Sequence, residues 1–453
     1  MDYNLLIIVA SILAAYLLFI IVMEKKGWFK PYNISLMGPI LVWRTQRGRG
    51  LLEKLSKPKR FWQRFGTVSI YVNILAMIFM VALIIWQTWA ITGFTEEQKE
   101  ALPGAEFALV LPGINPILPL DFIVYIVIAL IVAMIIHEFS HGIQSLVHGI
   151  KVKSLGIMAL IVPLGAFCEP DEEQLTTAEP KPRMKIYSAG PTSNFIVVLI
   201  SLMLLSLMFI SSVSIASPGP GVFGISEETP ADLYTEMEPG DIITAIDNIT
   251  IENTLDFHYL LRNSTAGDNI TISYQRADHL YTDSVILANR FDYTQNETDN
   301  GTGYLGVVTT DIHKGYLEIL KNPLTTFPDG LLLLYILPLF GYFQGYNPIV
   351  SPFTNSFVIT GALSFIPDGA FWAIINTLYW IFWLNLAVGI FNVLPMVPLD
   401  GGYIFNDAIS ILTKRIKPNL SEQQRQKLAK TITIFCSFFI LFLVFFPWFV
   451  KYF

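Results

Sequence analysis

His137-Glu138-Phe139-Ser140-His141 is the stretch of this 453-residue chain whose residue types and spacing best suit chemistry. Residues four apart share one face of a helix, so the two imidazoles stand one turn apart, the spacing that holds a single zinc. Glu138 lies beside them, placed to take a proton from a water on that metal. The motif closes FIVYIVIALIVAMII (122–136), a run without a charge. A hydrolytic site there would lie inside a bilayer.

Two imidazoles leave a catalytic zinc short of its usual three protein ligands. The best third candidate is Asp400, near the end of NLAVGIFNVLPMVPLDGG (385–402). An ionisable group at the end of an apolar span is costly and is a functional candidate by default. Pro395, Pro398, Gly401 and Gly402 break the helix there, which frees the carboxylate to turn toward a metal. The remaining candidates carry less. His148, two turns beyond His141, reads as an interfacial polar residue, and His258, His279 and His313 have no carboxylate cluster near them in sequence. The acidic EPDEE (169–173) reads as a solvated loop before it reads as a second metal site.

These residues need elements to position them, and the composition says what kind. The chain is 53% hydrophobic and only 14% charged, so much of it must face something other than water. A net charge of −7 excludes a generally basic, nucleic-acid-binding surface. Cys168 and Cys436 offer neither a disulfide framework nor a CxxC metal pair and read as core residues. The first apolar stretch lacks a basic n-region and a cleavage site, so a retained anchor is expected, not a signal peptide.

Stretches at 4–23, 67–92, 122–147, 187–213 and 428–450 are long enough to cross roughly 30 Å of hydrocarbon, and 370–396 is equally apolar. The segment 24–66 holds eleven Lys/Arg against Glu24 and Glu53, which places it in the cytoplasm and the N-terminus outside. Alternation then puts 150–186 and 397–427 inside, and both are Lys/Arg-rich. Residues 214–369 fall outside. The helices bearing His137 and Asp400 run the same way, so both residues reach similar depth near the cytoplasmic side. The apolar segment 330–345, interrupted by Pro338 and Gly341, is expected to be interfacial or re-entrant. The aromatic stripe of 370–384 is expected to face lipid.

Residues 216–310 break the pattern, with fifteen Asp/Glu against three Arg. Short runs (ITAIDNITI, NITISYQR, DSVILANR) separated by turn residues predict a small β-rich domain. Its order, with Pro239-Gly240-Asp241 ahead of an apolar strand, resembles a PDZ domain. The GVFGI strand (221–225) is expected to be the edge to which an extended peptide adds. Five Asn-x-Ser/Thr sequons, at Asn248, Asn263, Asn269, Asn296 and Asn300, crowd this insert.

HEFSH in an apolar helix, followed later by NVLPMVPLDGG, resembles the site-2 protease family of intramembrane zinc metalloproteases. GIKVKSLGIMALIVPLGAFCEPDEEQL (149–175) and RMKIYSAGPTSNF (183–195) extend the likeness. The resemblance implies His137, His141 and Asp400 as zinc ligands, Glu138 as general base, and Asn194 as a contact to the substrate carbonyl, with Asn392 in a similar helping role. It implies a membrane-anchored substrate, already trimmed by another protease, cleaved within or near its transmembrane helix. The expected fold is a polytopic α-helical membrane protein of about six transmembrane helices with an inserted β-rich PDZ-like extracytoplasmic domain, in the plasma membrane. Expected divisions are two N-terminal helices (1–92), a first part of the membrane core (93–213), the PDZ-like domain (214–312), an interfacial segment (313–369) and a second part of the core (370–453). The competing class, a metal transporter or non-proteolytic pseudoenzyme, would place ionisable residues along several spans. Here the spans are nearly charge-free outside the motif.

Overall fold

The computed structural model describes residues 3–108, 112–160 and 163–452. The chain divides into two compact units, one made of 1–111, 121–199 and 381–453, the other of 112–120 and 200–380.

The first unit is built on long apolar helices. Helices α1 (Tyr3–Lys25), α2 (Arg49–Ser56), α3 (Lys59–Thr92) and α4 (Glu96–Glu100) come first. They are followed by α5 (Ile123–Val147), α6 (Glu172–Thr177) and α7 (Pro180–Ser212). Among the described residues, five helices are long and apolar enough to cross a membrane, among them α3, the helix containing α5, and α7. A helix satisfies its backbone internally, which is why apolar runs take this form in hydrocarbon. Tyr71, Leu75, Phe79 and Trp89 stay exposed on α3, as lipid-facing side chains do. The helix starts eight residues before its expected span because Lys59, Arg60, Gln63 and Arg64 add two polar turns.

The basic segment 24–66 and the segment 150–186 are not plain loops. Strands β1 (Ile34–Met37), β2 (Ile40–Thr45), β3 (Val152–Ala159) and β4 (Pro163–Pro170) form one antiparallel sheet in that order. The pairing of β2 with β3 joins segments about a hundred residues apart, with Leu41 opposite Ala159 and Thr45 opposite Leu155. Leu52 of α2, Ile143 and Val147 of α5, and Val152, Leu155 and Cys168 of the sheet bury together.

The second unit holds the β-rich insert. Its elements are β5 (Val213–Ile215), β6 (Gly221–Ile225), α8 (Pro230–Tyr234), β7 (Ile242–Ile246), β8 (Ile249–Thr250), α9 (Thr254–Arg262), β9 (Asn269–Arg276) and β10 (His279–Ile286). They continue through β11 (Ala288–Asn289), α10 (Phe291–Thr294), β12 (Gly303–Tyr304), β13 (Val307–Thr310), α11 (Ile312–Lys321), α12 (Asp329–Gln344) and β14 (Phe357–Ile359). The main sheet runs β10-β9-β7-β6-β13 with β8 on β7. Phe257, Ile243, Ile272, Tyr274 and Leu305 are at most 1% exposed at its centre. One expectation fails here. The GVFGI strand is β6, which is flanked by β7 and β13, so its edge is already occupied; β13 is the free edge on that side.

Helix α12 has sixteen residues, about 24 Å at 1.5 Å per residue, short of the roughly 30 Å a span needs. Helix α13 (Asp368–Asn392) carries the aromatic stripe and corrects its expected setting. Phe371, Tyr379, Trp380, Phe382 and Trp383 are at most 6% exposed, so they pack inside the protein instead of facing lipid. After α13, residues 393–399 leave helical geometry, α14 (Asp400–Ile416) restarts at Asp400, and α15 (Glu422–Tyr452) is the last of the described elements.

Candidate active site

The helical spacing of HEFSH does what its period requires. His137 and His141 sit on one face of α5 with ring centroids 4.7 Å apart. Asp400 opens α14, and its Oδ2 lies 3.1 Å from His137 Nε2 and 3.2 Å from His141 Nε2. The helix break at 393–399 permits this, since a carboxylate on a continuous α13 would have followed that helix's own faces. His137, Glu138 and His141 also bring ligand atoms within 4.8 Å of one another. Four of the expected residues therefore converge.

The arrangement fits zinc. Tetrahedral ligands about 2.0–2.1 Å from a zinc stand roughly 3.3 Å from each other. The two Nε2–Oδ2 distances, 3.1 and 3.2 Å, are close to that edge. Asp400 Oδ2 is buried with no hydrogen-bond donor on it. A carboxylate held so between two imidazoles is costly unless a cation satisfies it. The Nδ1 of His141 lies 2.7 Å from the Ile186 carbonyl, which can only accept, so Nδ1 carries the proton and Nε2 keeps its lone pair for a metal.

Glu138 is aimed by the sheet. Its Oε2 accepts from the backbone N–H of Cys168 at 2.7 Å. Cys168 lies on β4, opposite Leu155 of β3; β4 is an outer strand of the sheet, so an amide spent on Glu138 points away from β3. Gly142, one turn beyond Glu138, makes the approach possible: a Cβ there would fall 2.9 Å from Cys168 Sγ and 3.0 Å from Leu52 Cδ1. Burial raises the Cys168 thiol to about 12, and the Glu138 and Glu169 carboxylates push the same way, so it is an inert core thiol and not a nucleophile.

The third wall is α7. A Cβ on Gly190 would lie 2.4 Å from His141 Nε2 and 2.7 Å from His137 Nε2, so only glycine lets this helix reach the imidazoles. Asn194 sits one turn further along α7, fully buried, with neither side-chain Oδ1 nor Nδ2 hydrogen-bonded. Such a group awaits a partner. Asn392 differs: its Nδ2 donates to the Val388 carbonyl 3.1 Å away, within its own helix.

Two arrangements hold α7 in place. Asn73 of α3 donates Nδ2 to the Ser188 carbonyl at 3.0 Å and to Thr192 Oγ1 at 2.7 Å, bracketing Gly190 and Pro191. Arg183 of α7 makes a two-pronged ion pair with Asp407 of α14, through Nε to Oδ2 at 3.1 Å and through a guanidinium NH2 to Oδ1. Tyr187 and Tyr403 stack beside it at 4.8 Å and 15°. The sequence signal for Asn73 was present, as one of only two amides, with Gln87, in the uncharged span 67–92. The Ile186 carbonyl and the Cys168 amide belong to the backbone and leave no trace in residue types.

Other candidates stay apart from this site. His148 Nδ1 pairs with the Gln144 carbonyl within its own helix end. Asp171 of the EPDEE stretch caps α6 by accepting from Gln174 N. His313 is buried at 1% exposure in the second unit. Among the described residues no second group of potential metal ligands is present. Cys168 and Cys436 are free, Cys168 buried and Cys436 partly so.

Long apolar helices enclosing a His-Glu-His site define the class, an integral membrane protein of metallohydrolase type. The chain belongs to Peptidase family M50, the site-2 protease family, whose model matches residues 125–440. It is 28% identical over 386 residues to an uncharacterized protein of Methanocaldococcus jannaschii, covering 84% of this chain and 81% of that one. It is 24% identical to a putative zinc metalloprotease of Clostridium perfringens, over 65% of this chain and 84% of the relative. It is also 20% identical to a membrane-bound transcription factor site-2 protease homolog of Arabidopsis thaliana, over 44% of this chain and 33% of the relative. Part of the chain is similar to the PDZ domain of an SdrC-like protein of Listeria monocytogenes, at 22% identity and TM-score 0.18, covering 22% of this chain and 95% of that domain.

Proposed function

We propose that this protein is an intramembrane zinc metalloprotease that hydrolyses a peptide bond in or near the transmembrane helix of a membrane-anchored substrate. The observation that carries the reading is the convergence of His137 Nε2, His141 Nε2 and Asp400 Oδ2 among apolar helices. These three residues hold the metal. When bound, zinc supplies Lewis-acid polarisation and a water acidified toward neutral pH. Glu138, aimed by the Cys168 amide, takes the proton of the attacking water and returns it to the leaving amine. The unpaired Asn194 amide donates to the carbonyl oxygen as charge develops on it. Asn392 supports the substrate side more remotely. A helical substrate hides its carbonyls, so it must unwind locally before attack.

The loops rich in Lys and Arg favour a site toward the cytoplasm, with the β-rich insert outside as a PDZ-like filter on substrate ectodomains. Any peptide added to that domain's sheet on this side would pair with β13, the free edge, and not with β6.

The test is purified protein with zinc on a model transmembrane helix, wild type against Glu138→Ala. Cleavage by the wild type alone is expected. Cleavage by the variant at the wild-type rate would remove Glu138 as the base, and no cleavage by either would sink the protease reading.

A further inference from the structure

The insert carries a chemical pattern that proteolysis does not use. Seven asparagines lie between 216 and 310, and five of them (Asn248, Asn263, Asn269, Asn296, Asn300) have Thr two residues on. Thr makes up thirteen of those 95 residues, so chance would place it there about once among seven asparagines. Elsewhere the chain has thirteen asparagines and only two such sequons, Asn33-Ile34-Ser35 and Asn419-Leu420-Ser421, both with Ser. A polar surface rich in Asn and Thr raises both residue types but does not set their spacing.

The fold puts all five acceptors where an enzyme could reach them. Each of the five side chains is exposed. Asn248 is the second residue of the β7–β8 turn, at φ 65°, and Asn263 caps the C-terminus of α9. Asn269 is the first residue of β9, and Asn296 and Asn300 flank the short 3-10 turn Glu297–Asp299. All five are at turns or element ends, and none lies in a membrane-spanning helix. A bulky solubilising group at these positions would leave the buried centre of the sheet undisturbed.

We propose that the β-rich domain is N-glycosylated at these five asparagines, the co-substrate being a lipid-linked oligosaccharide. In the transfer, Asn Nδ2 bonds to the anomeric carbon, the anomeric carbon–oxygen bond to phosphate breaks, and the amide loses a proton as the lipid phosphate leaves. The machinery acts on one side of the membrane. Asn33 and Asn419 are exposed too, but they lie in the two basic segments that the charge asymmetry puts on the other side. They are internal controls.

The experiment is peptide mass spectrometry on the full chain purified from its own membranes, with and without enzymatic deglycosylation. Saccharide adducts are expected on peptides containing the five insert sites and absent from those containing Asn33 and Asn419. Thr250→Val, which keeps Asn248 but destroys its sequon, should remove the adduct at that site alone. A bare insert would overturn the proposal, and so would adducts on Asn33 or Asn419 in place of the insert. Neither result depends on whether the protein cleaves a substrate.

Discussion

The Glu138 carboxylate and the Cys168 amide are joined by a 2.7 Å hydrogen bond that ties the first helix of the site to the last strand of a four-stranded sheet. Because the amide does not serve the β3–β4 ladder, it can be removed without cutting the sheet. Cys168→Pro deletes this one donor, and Pro is tolerated where the N–H faces away from the ladder. A hydrogen bond to a charged group is worth about 1.5–3 kcal/mol, so kcat should fall by roughly ten- to a hundredfold with zinc content unchanged. Cys168→Ala, which keeps the amide, should cleave like the wild type. Equal rates for all three proteins would show that Glu138 does not need the strand.

Gly190→Ala tests the metal site from the α7 side. Alanine is the better helix former by about 1 kcal/mol, so the fold should not suffer for reasons of propensity. The added methyl would stand 2.4 Å from His141 Nε2 and must displace it. Zinc measured by elemental analysis should fall well below one per chain, with helix content by circular dichroism unchanged. Full zinc occupancy would mean that α7 does not approach the imidazoles as described.

Arg183 and Asp407 hold the helix that begins with Asp400 against α7, and both side chains are mostly buried, at 19% and 4% exposure. Removing one partner of a buried pair costs about 3–5 kcal/mol, because a charge is left unpaired. Arg183→Met should therefore lower thermal stability and loosen zinc in a chelator competition. Arg183→Met combined with Asp407→Leu should recover stability, since well-packed apolar pairs can replace buried ion pairs. Retention of zinc at wild-type strength in the single variant would show that α14 is held by other contacts.

His313 makes stability of the second unit depend on pH. Burial pulls its imidazole from 6.5 down to about 4, with Lys314 adding to the effect. Between these values the unfolded chain binds more protons than the folded one, so stability drops as pH falls from 6.5 toward 4 and is complete above that window. The drop is at most about 3–4 kcal/mol, at 1.36 kcal/mol per pH unit over about 2.5 units. Hydrogen exchange of α11 amides, corrected for intrinsic rates, should speed up in that window and not in His313→Leu. A flat profile in the wild type would remove the histidine as the cause.

Residue types and spacing alone determined a good deal. Charge-free runs require helices because hydrocarbon offers no partner for the backbone, so α3, α5, α7, α13 and α15 were legible. The four-residue step put His137 and His141 on one face, and the Pro/Gly pattern around Asp400 marked a helix break that could free a carboxylate. What the sequence could not decide was pairing across distance. The meeting of Asp400 with the histidines at 3.1 and 3.2 Å depends on how two helices 260 residues apart are docked. The β1–β4 sheet joins two segments that read separately as basic loops, since a strand's period shows in sequence but its partner does not. The buried aromatics of α13 and the occupied edge of β6 were misread for the same reason. The groups that aim Glu138 and His141 are a backbone N–H and a backbone carbonyl. Every residue has both, so only the tertiary structure could say which ones matter.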